Sequence, residues 1–210
     1  MEMQQNKSHA YRIKTPRLLL RCWEIEDAPR LAEAIRGSLE HLRPWMTWAT
    51  PEQAELDTVV ENITRNRASF EQGDDRVYGI LSLDGLRVLG GCGLHARGAR
   101  NMLEIGYWIR AEETGRGYAT EAAEALTRVG FEHFQMMKME IHCAAGNLAS
   151  AAVARRLDYR LEGTLRYHRE LYGGTWTDTL VWGLLSEEFP ASLSAGLKLE
   201  ALGSQGERLL

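Results

Sequence analysis

The sequence lacks any run approaching the roughly 20 apolar residues that a membrane-spanning helix needs. Its opening, Met1 to Ala10, is polar, which predicts no signal peptide. Neither a membrane nor a nucleic acid is an expected partner. The net charge is −4 over 210 residues, with no basic excess to grip phosphate backbones. Only three cysteines are present, Cys22, Cys92 and Cys143. Their number is odd, no metal-ligand spacing links them, and each sits in an apolar, strand-like setting. They are expected to be buried, reduced thiols in a cytoplasmic protein, and no metal site is expected. No histidine stands in a pattern that would make one of them a nucleophile. Internal repeats and linkers are also missing, so a chain of this length reads as one good-sized domain.

What is present is organised around Leu103 to Glu121. Leu103, Ile105, Tyr107 and Ile109 alternate with Glu104, Gly106 and Trp108, the period-2 signal of a strand. Gly115 and Gly117 follow, with Arg116 between them. A helix comes next, with Ala119, Ala122, Ala123, Leu126 and Val129 on one stripe. Strand, glycine turn and helix start together make an anion site. The first-turn amides are unpaired, the helix dipole favours negative charge, and glycine lets the backbone come close. Thr114 to Thr120 is therefore the expected seat of a phosphate, most simply a pyrophosphate. The alternative is a plain turn whose glycines serve geometry alone. The Gly-Lys-Ser/Thr of a P-loop is absent, and the third glycine of a dinucleotide fingerprint is replaced by Thr120.

Along the rest of the chain, Tyr11 to Trp23 is strand-like, centred on Leu18 to Leu20. Asp27 is a plausible cap for a helix that carries Leu31 and Ile35 and weakens at Gly37. In the loop Leu39 to Thr50, Trp45 and Trp48 either plug the core or form a substrate wall. Thr50-Pro51-Glu52-Gln53 has the form of a capping box. Leu56, Val59, Val60, Ile63 and Phe70 keep helical spacing up to the stop at Gly73. Val77 to Leu83 and Leu86 to Leu94 read as a hairpin turning at Asp84-Gly85, with Gly90, Gly91 and Gly93 marking a bulge or a close approach. Met137, Met139, Ile141 and Cys143 alternate as a strand parallel to the Leu103 strand. A short capped helix over Asn147 to Tyr159 and a hairpin over Arg160 to Leu185, turning at Gly173-Gly174, complete the pattern. The expected domain spans 11–189, with a polar tail at 1–10 and a weakly helical or disordered tail at 190–210.

Several of these stretches, in this order, resemble the GNAT superfamily of N-acetyltransferases. Gly115-Arg116-Gly117-Tyr118-Ala119 is similar to its acyl-coenzyme A loop, Gln/Arg-any-any-Gly-any-Gly/Ala, with Glu112 departing from the Gln/Arg slot. Asn147, Ser150, Val153 and Leu157 match the family's Asn-any-any-Ser-any-any-Val-any-any-Lys-Leu-Gly-Phe. Arg156 and Tyr159 stand for Lys and Phe, and Asp158 for the glycine. Thr15-Pro16-Arg17-Leu18, Arg43-Pro44-Trp45, Glu104-Ile105-Gly106-Tyr107-Trp108 and Asp178 to Leu184 look like the ribosomal-protein N-terminal (alanine/serine) acetyltransferase branch. The resemblance covers roughly Tyr11 to Phe189. It implies an α/β (α+β) GNAT fold: a mixed, mostly antiparallel twisted sheet of about seven strands, with a splayed parallel pair and flanking helices.

The resemblance also implies transfer of acetyl from acetyl-CoA, with no metal, to a primary amine by direct attack in a ternary complex. Pantetheine would lie along Trp108, Ile109 and Arg110, near Asn147. The pyrophosphate would lie on Thr114, Gly115, Arg116, Gly117, Tyr118, Ala119 and Thr120, with Arg156 close to the phosphates. Glu104 is the candidate base through a water, and Ser150 the donor to the leaving thiolate. Trp45, Trp48 and Tyr167, with His168 beside it, are candidate acceptor contacts. An N-terminal amine (pKa ~8) is roughly a tenth neutral at pH 7, whereas a lysine (~10.4) is almost wholly charged. An N-terminal amine therefore asks little of its base, and the branch resemblance implies a protein N-terminus as the acceptor. A small amine, such as an aminoacyl-nucleotide, antibiotic or polyamine, is the alternative. A non-catalytic acyl-CoA-binding module is the second alternative. Both a monomer and a homodimer are left open.

Overall fold

The computed structural model describes residues 9–210, so Met1 to Ser8 of the polar start lie outside it. The elements run β1 (Arg12–Lys14), β2 (Leu18–Cys22), α1 (Ala28–Arg36), α2 (Leu39–Leu42), α3 (Leu56–Gln72), β3 (Asp75–Ser82), β4 (Val88–His95) and β5 (Met102–Ile109). They continue with α4 (Tyr118–Arg128), β6 (Lys138–Ala144), α5 (Leu148–Arg156), β7 (Arg160–Glu170), β8 (Trp176–Leu185) and β9 (Glu200–Leu202). One nine-stranded sheet results, in the order β7-β8-β6-β5-β4-β3-β2-β1-β9. Every pair is antiparallel except β5 with β6.

Two strands exceed the expected count of about seven. The Tyr11–Trp23 stretch is broken because Pro16 has no N–H to donate. Thr15 closes the turn, its N–H donating to the Leu18 carbonyl and its Oγ1 accepting the Leu18 N–H, both at 3.0 Å. The second extra strand lies in the segment expected to be a loose tail. β9 pairs with β1, and Ala201 opposite Ile13 is fully buried. Alternation of Ala201 into the core supplies the order that composition did not reveal.

Core packing divides by sheet face. Ile80 and Leu94, with Leu103, Ile105, Met139 and Ile141, face α4 and α5, whose Ala122, Ala123, Leu126 and Ala154 are fully buried. On the opposite face Leu81, Val88 and Trp23 pack against Leu31 and Ile35 of α1 and Val59 and Ile63 of α3. Each fully buried Leu or Ile contributes roughly 1.5–3 kcal/mol. The capping box expected at Thr50 does not form: its side chain caps nothing, and the backbone makes only a short 3-10 turn, Pro51–Ala54, with the Gln53 N–H on the Thr50 carbonyl at 3.1 Å. Glu55 then extends (ψ 140°), so α3 starts at Leu56, which is exposed. Gly73 ends α3 in the left-handed conformation (φ 78°), as read. Asp27 does not cap α1 with its side chain. It is buried in a bidentate pair with Arg21, at 3.0 Å on each oxygen. Asp158, standing where the family pattern has glycine, adopts φ 65°, the left-handed region that glycine favours. Its carboxylate accepts the Leu193 N–H at 2.9 Å.

The site depends on β5 and β6. They pair only over Met102–Glu104 with Lys138–Glu140. Beyond that, β5 stays with β4 as far as Ile109, and β6 stays with β8 as far as Ala144. The parallel strands therefore part just after Glu104, as the resemblance implied.

Candidate active site at the splayed strands

Two cavities meet where the strands part. One, of about 960 Å³, is lined by the glycine turn, the start of α4 and one side of α5. The other, of about 640 Å³, holds Glu104. Both are walled by Trp45, Met46, Tyr107, Trp108, Asn147 and Ser150, so these six residues mark the passage.

On the first side, Gly115 (φ 75°) and Gly117 (φ 79°) are left-handed, a conformation that costs other residues about 1–2 kcal/mol. The first ladder bond of α4 runs from the Glu121 N–H to the Gly117 carbonyl at 3.0 Å. The amides of Tyr118, Ala119 and Thr120 therefore precede the ladder and are free for an anion. A built Cβ at Gly115 meets nothing within 4 Å, so this glycine serves backbone conformation, not packing. Arg116 is not a free charge. Its guanidinium lies 3.0 Å from the buried Glu113, at an angle poor for a hydrogen bond, and Arg87 pairs with the same carboxylate. Arg17, absent from the expected site, anchors the turn to the β1–β2 corner. It donates to the Arg116 carbonyl (2.9 Å) and to buried Glu121 (2.6 Å), and its guanidinium lies 5.1 Å over the Tyr118 ring. Thr114 Oγ1 is turned back to the Ala111 carbonyl, and Arg156 reaches Thr120 Oγ1 only at 3.4 Å. Glu112 points to Arg110 at 3.2 Å and does not line the cavity.

Along β5 the main chain alternates its polar groups between neighbours. The Arg110 N–H donates to the Leu89 carbonyl at 2.8 Å, so Trp108 likewise faces β4, and Tyr107 and Ile109 face the gap. Of the expected pantetheine contacts, Ile109 thus offers backbone groups and Trp108 a side-chain wall. Arg110 is a correction. Its amide is spent on β4, and its guanidinium is held by Glu33 (2.9 Å) and Glu112. Asn147 Oδ1 caps α5 by accepting the Ser150 N–H (3.1 Å), which leaves its NH₂ for another partner. Ser150 Oγ lies 2.9 Å from the Tyr107 hydroxyl.

On the second side, strand register places Asp75, His95, Glu104 and Glu140 in one row across β3 to β6. Cross-strand partners share a face, so all four belong to the Glu104 side. His95 Nδ1 is 3.0 Å from Asp75 Oδ2. His142, two residues along β6 from Glu140, puts Nδ1 at 3.6 Å from Glu104 and Nε2 at 2.9 Å from Glu140. Burial would raise the Glu140 carboxyl, but hydrogen bonds from Lys138 and His142 outweigh it and hold the group below its ordinary value. The floor is glycine: Gly91 lies next to the directly opposed Gly93 and Gly106. A Cβ at Gly93 would fall 2.7 Å from His95 Nε2, and one at Gly91 2.5 Å from Trp108 Nε1. These are the close approaches that the glycines of β4 predicted.

Trp45 lines both cavities, and Trp48 lines the Glu104 cavity and meets Trp108 edge-to-face at 5.9 Å. Tyr167 is a correction. It is 75% exposed on the outer strand, at φ 48° within a bulge, and lines neither cavity. His168 bonds Thr179 instead. Beyond the same bulge, Arg169 enters the Glu104 cavity. The sequence signal for His142 and Glu140 was the alternation of β6. They occupy the polar positions between Met139, Ile141 and Cys143, but only the register shows that this face is Glu104's.

Among the described residues no group of three His, Cys, Asp or Glu side chains is placed to hold a metal ion, and no helix is long and apolar enough to cross a membrane. The three cysteines are free and buried.

Comparison with known proteins agrees with this geometry. The acetyltransferase (GNAT) domain matches residues 17–160. The chain is 31% identical over 182 residues to "Putative ribosomal N-acetyltransferase YdaF" of Bacillus subtilis (strain 168), covering 82% of this chain and 93% of that protein. Among solved structures, Mycobacterium smegmatis RimJ in complex with CoA-disulfide superposes with a TM-score of 0.77 at 26% identity, covering 88% of this chain and 90% of that one. A ribosomal L7/L12 alpha-N-protein acetyltransferase, RimL, in complex with coenzyme A shares the fold, with a TM-score of 0.74 at 22% identity over 81% of this chain and 95% of that one. With the family domain spanning more than half of its length and a splayed β5–β6 pair beside a glycine turn, this chain belongs to the GNAT acetyltransferase family.

Proposed function

We propose that the protein moves the acetyl group of acetyl-CoA to the N-terminal α-amine of a protein of the ribosomal type, by direct attack within a ternary complex. The observation that carries this is the pair of cavities joined through the sheet beside Glu104. One end offers unladdered amides to a pyrophosphate, the other a carboxylate to an amine. The relatives' names, a putative ribosomal N-acetyltransferase and a RimJ, support the acceptor class.

The thioester supplies an activated acyl group, and the chain supplies positioning and proton handling. Tyr118, Ala119 and Thr120 N–H groups, with Gly115 and Gly117 shaping the turn, hold the diphosphate. The backbone edge of Tyr107 and Ile109 receives the amide-bearing arm as an added strand would be received. Glu104 takes a proton from the incoming ammonium through a water. Ser150, hydrogen-bonded to Tyr107, faces the passage and gives its proton to the departing sulfur, regaining one from the acceptor nitrogen as the amide forms. Trp45, Trp48 and Trp108 wall the acceptor side. A volume of about 640 Å³ falls in the ligand-cavity range of roughly 300–1,000 Å³, room for the first residues of a peptide.

The test is thiol release from acetyl-CoA across N-terminal peptides, polyamines and nucleotide-linked amines, with mass spectrometry locating the acetyl group. Alanine- or serine-initiated peptides should turn over fastest. Faster turnover of a polyamine or a nucleotide-linked amine would replace the acceptor. No release with any amine, alongside tight acetyl-CoA binding, would leave a binding module.

A further inference from the structure

We propose that His142, held by Glu140, is the positioning partner of Glu104 and takes over the proton that Glu104 removes from the acceptor amine. The proposal rests on the acetyl-transfer reading above and adds a residue to it.

Strand geometry brings the three groups together. Glu104 and Glu140 are register partners on β5 and β6, and His142 is on the same face two residues along. His142 Nε2 lies 2.9 Å from Glu140 Oε2, and Nδ1 lies 3.6 Å from Glu104 Oε2. Lys138 Nζ pairs with Glu140 at 2.7 Å and also with Glu162 of β7, so Glu140 is fixed from behind. An ionised carboxylate only accepts hydrogen bonds, so the Glu140 contact makes Nε2 the donor. The neutral ring then carries its lone pair on Nδ1, on the side of Glu104. When Nδ1 takes a proton, the imidazolium is held between two carboxylates.

Proton bookkeeping requires such a reservoir. An ammonium loses two protons on becoming an amide, and only one leaves with the thiol. The other goes to Glu104, then to Nδ1, then to solvent through the cavity. Glu104 is thereby returned to its ionised form for the next turnover. The charged or titratable groups facing His142 are Glu104 on β5 and Glu140 on its own strand. Lys138 and Glu162 stand behind Glu140, and Arg169 of β7 lines the same cavity. On β8 its register partner is Val181, next to Thr179, and neither titrates. Across Glu104, the pair His95 and Asp75 completes the row.

The test compares wild type, His142→Ala and Glu140→Gln, with acetyl-CoA affinity measured separately. His142→Ala should lower kcat/KM about 100-fold near neutral pH, the lower end of the range for a positioned proton-transfer group. The loss should shrink toward about pH 9.5, where an α-amine of pKa ~8 is already neutral, and imidazole added to the assay should restore part of the rate. Glu140→Gln should move the acidic limb of the profile to lower pH and lower its plateau. Acetyl-CoA affinity should not change. Nitrogen-15 NMR of the neutral ring in the free protein should place the His142 proton on Nε2. A proton on Nδ1, an unchanged rate, or a loss equal at every pH and not rescued by imidazole would overturn the relay. Wild type releasing no thiol with any amine would instead overturn the transfer reading, and the tautomer measurement would still decide the geometry of the relay.

Discussion

Tyr107 and Ser150 are joined by a 2.9 Å hydrogen bond between their hydroxyls, across the gap that separates β5 from α5. Burial pushes the Tyr107 hydroxyl well above its ordinary range, against a smaller opposing effect from Ser150, so it keeps its proton near neutral pH. The proposed proton donor Ser150 thus shares its hydroxyl contact with a tyrosine beside the passage. Ser150→Ala and Tyr107→Phe should each lower kcat by ~100-fold with little change in KM for acetyl-CoA, the lower end of the range for a lost proton donor. The double variant should cost little more than either single one, because both act through the same bond. Steady-state kinetics on the four proteins checks this, and fully multiplicative losses would separate the two residues.

Gly117→Val tests the anion seat. A β-branched residue at φ 79° is strained by about 1–2 kcal/mol, and its side chain would crowd the Arg17 guanidinium, which a built Cβ already approaches to 3.5 Å. We expect roughly a tenfold rise in KM for acetyl-CoA with kcat nearly preserved. Calorimetric titration with coenzyme A reads the same loss directly, and unchanged affinity would mean that the phosphates bind elsewhere.

Glu140 ties stability to pH. Its carboxyl sits below its ordinary value in the folded protein, so its contribution is complete above the unfolded value near 4.5 and disappears as pH falls through the lower folded value. Glu140→Gln should therefore destabilise the fold at pH 7 by about 1.5–3 kcal/mol, the range for a charged hydrogen bond. The difference from wild type should fade as the solution is acidified. Urea denaturation at several pH values measures it, and a difference that grows on acidification contradicts the assignment.

The cysteines should be inert while the chain is folded. Burial pushes Cys22 up to about 11 and raises Cys92 and Cys143 as well, against roughly 8.5 for a free thiol. Almost no thiolate exists at pH 8 in the native state. Ellman's reagent should label the native protein slowly and all three thiols promptly in denaturant. Rapid native labelling of Cys143, which borders the Glu104 cavity, would reveal an opening of β6.

Much of this molecule was legible in its sequence because local chemistry and global fold agree. The alternation of β5 and β6, the glycine turn ahead of α4 and the capped start of α5 at Asn147 each arise from neighbours a few residues apart and were legible for that reason. What escaped depends on long-range register. Whether Glu140 and His142 share Glu104's face is decided by three paired residues at the start of the splay. Arg17 looks like part of a strand until the β1–β2 corner is folded against α4. Tyr167 was drawn to the site by its place on the closing hairpin, but a bulge in β7 sends Arg169 there instead. The strand in the last twenty residues has only Ala201 to bury, too weak a pattern to be heard above its polar surroundings.

β9 covers the outer side of β1, itself only three residues long, and Leu197 just before it helps wall the larger cavity. Shortening the protein at its C-terminal side would uncover a bare strand edge that invites pairing between molecules, and would also open the wall of the larger cavity, the proposed seat of the coenzyme. Solubility and cofactor affinity in this protein are therefore tied to the same short segment, and trimming it for convenience would disturb both at once.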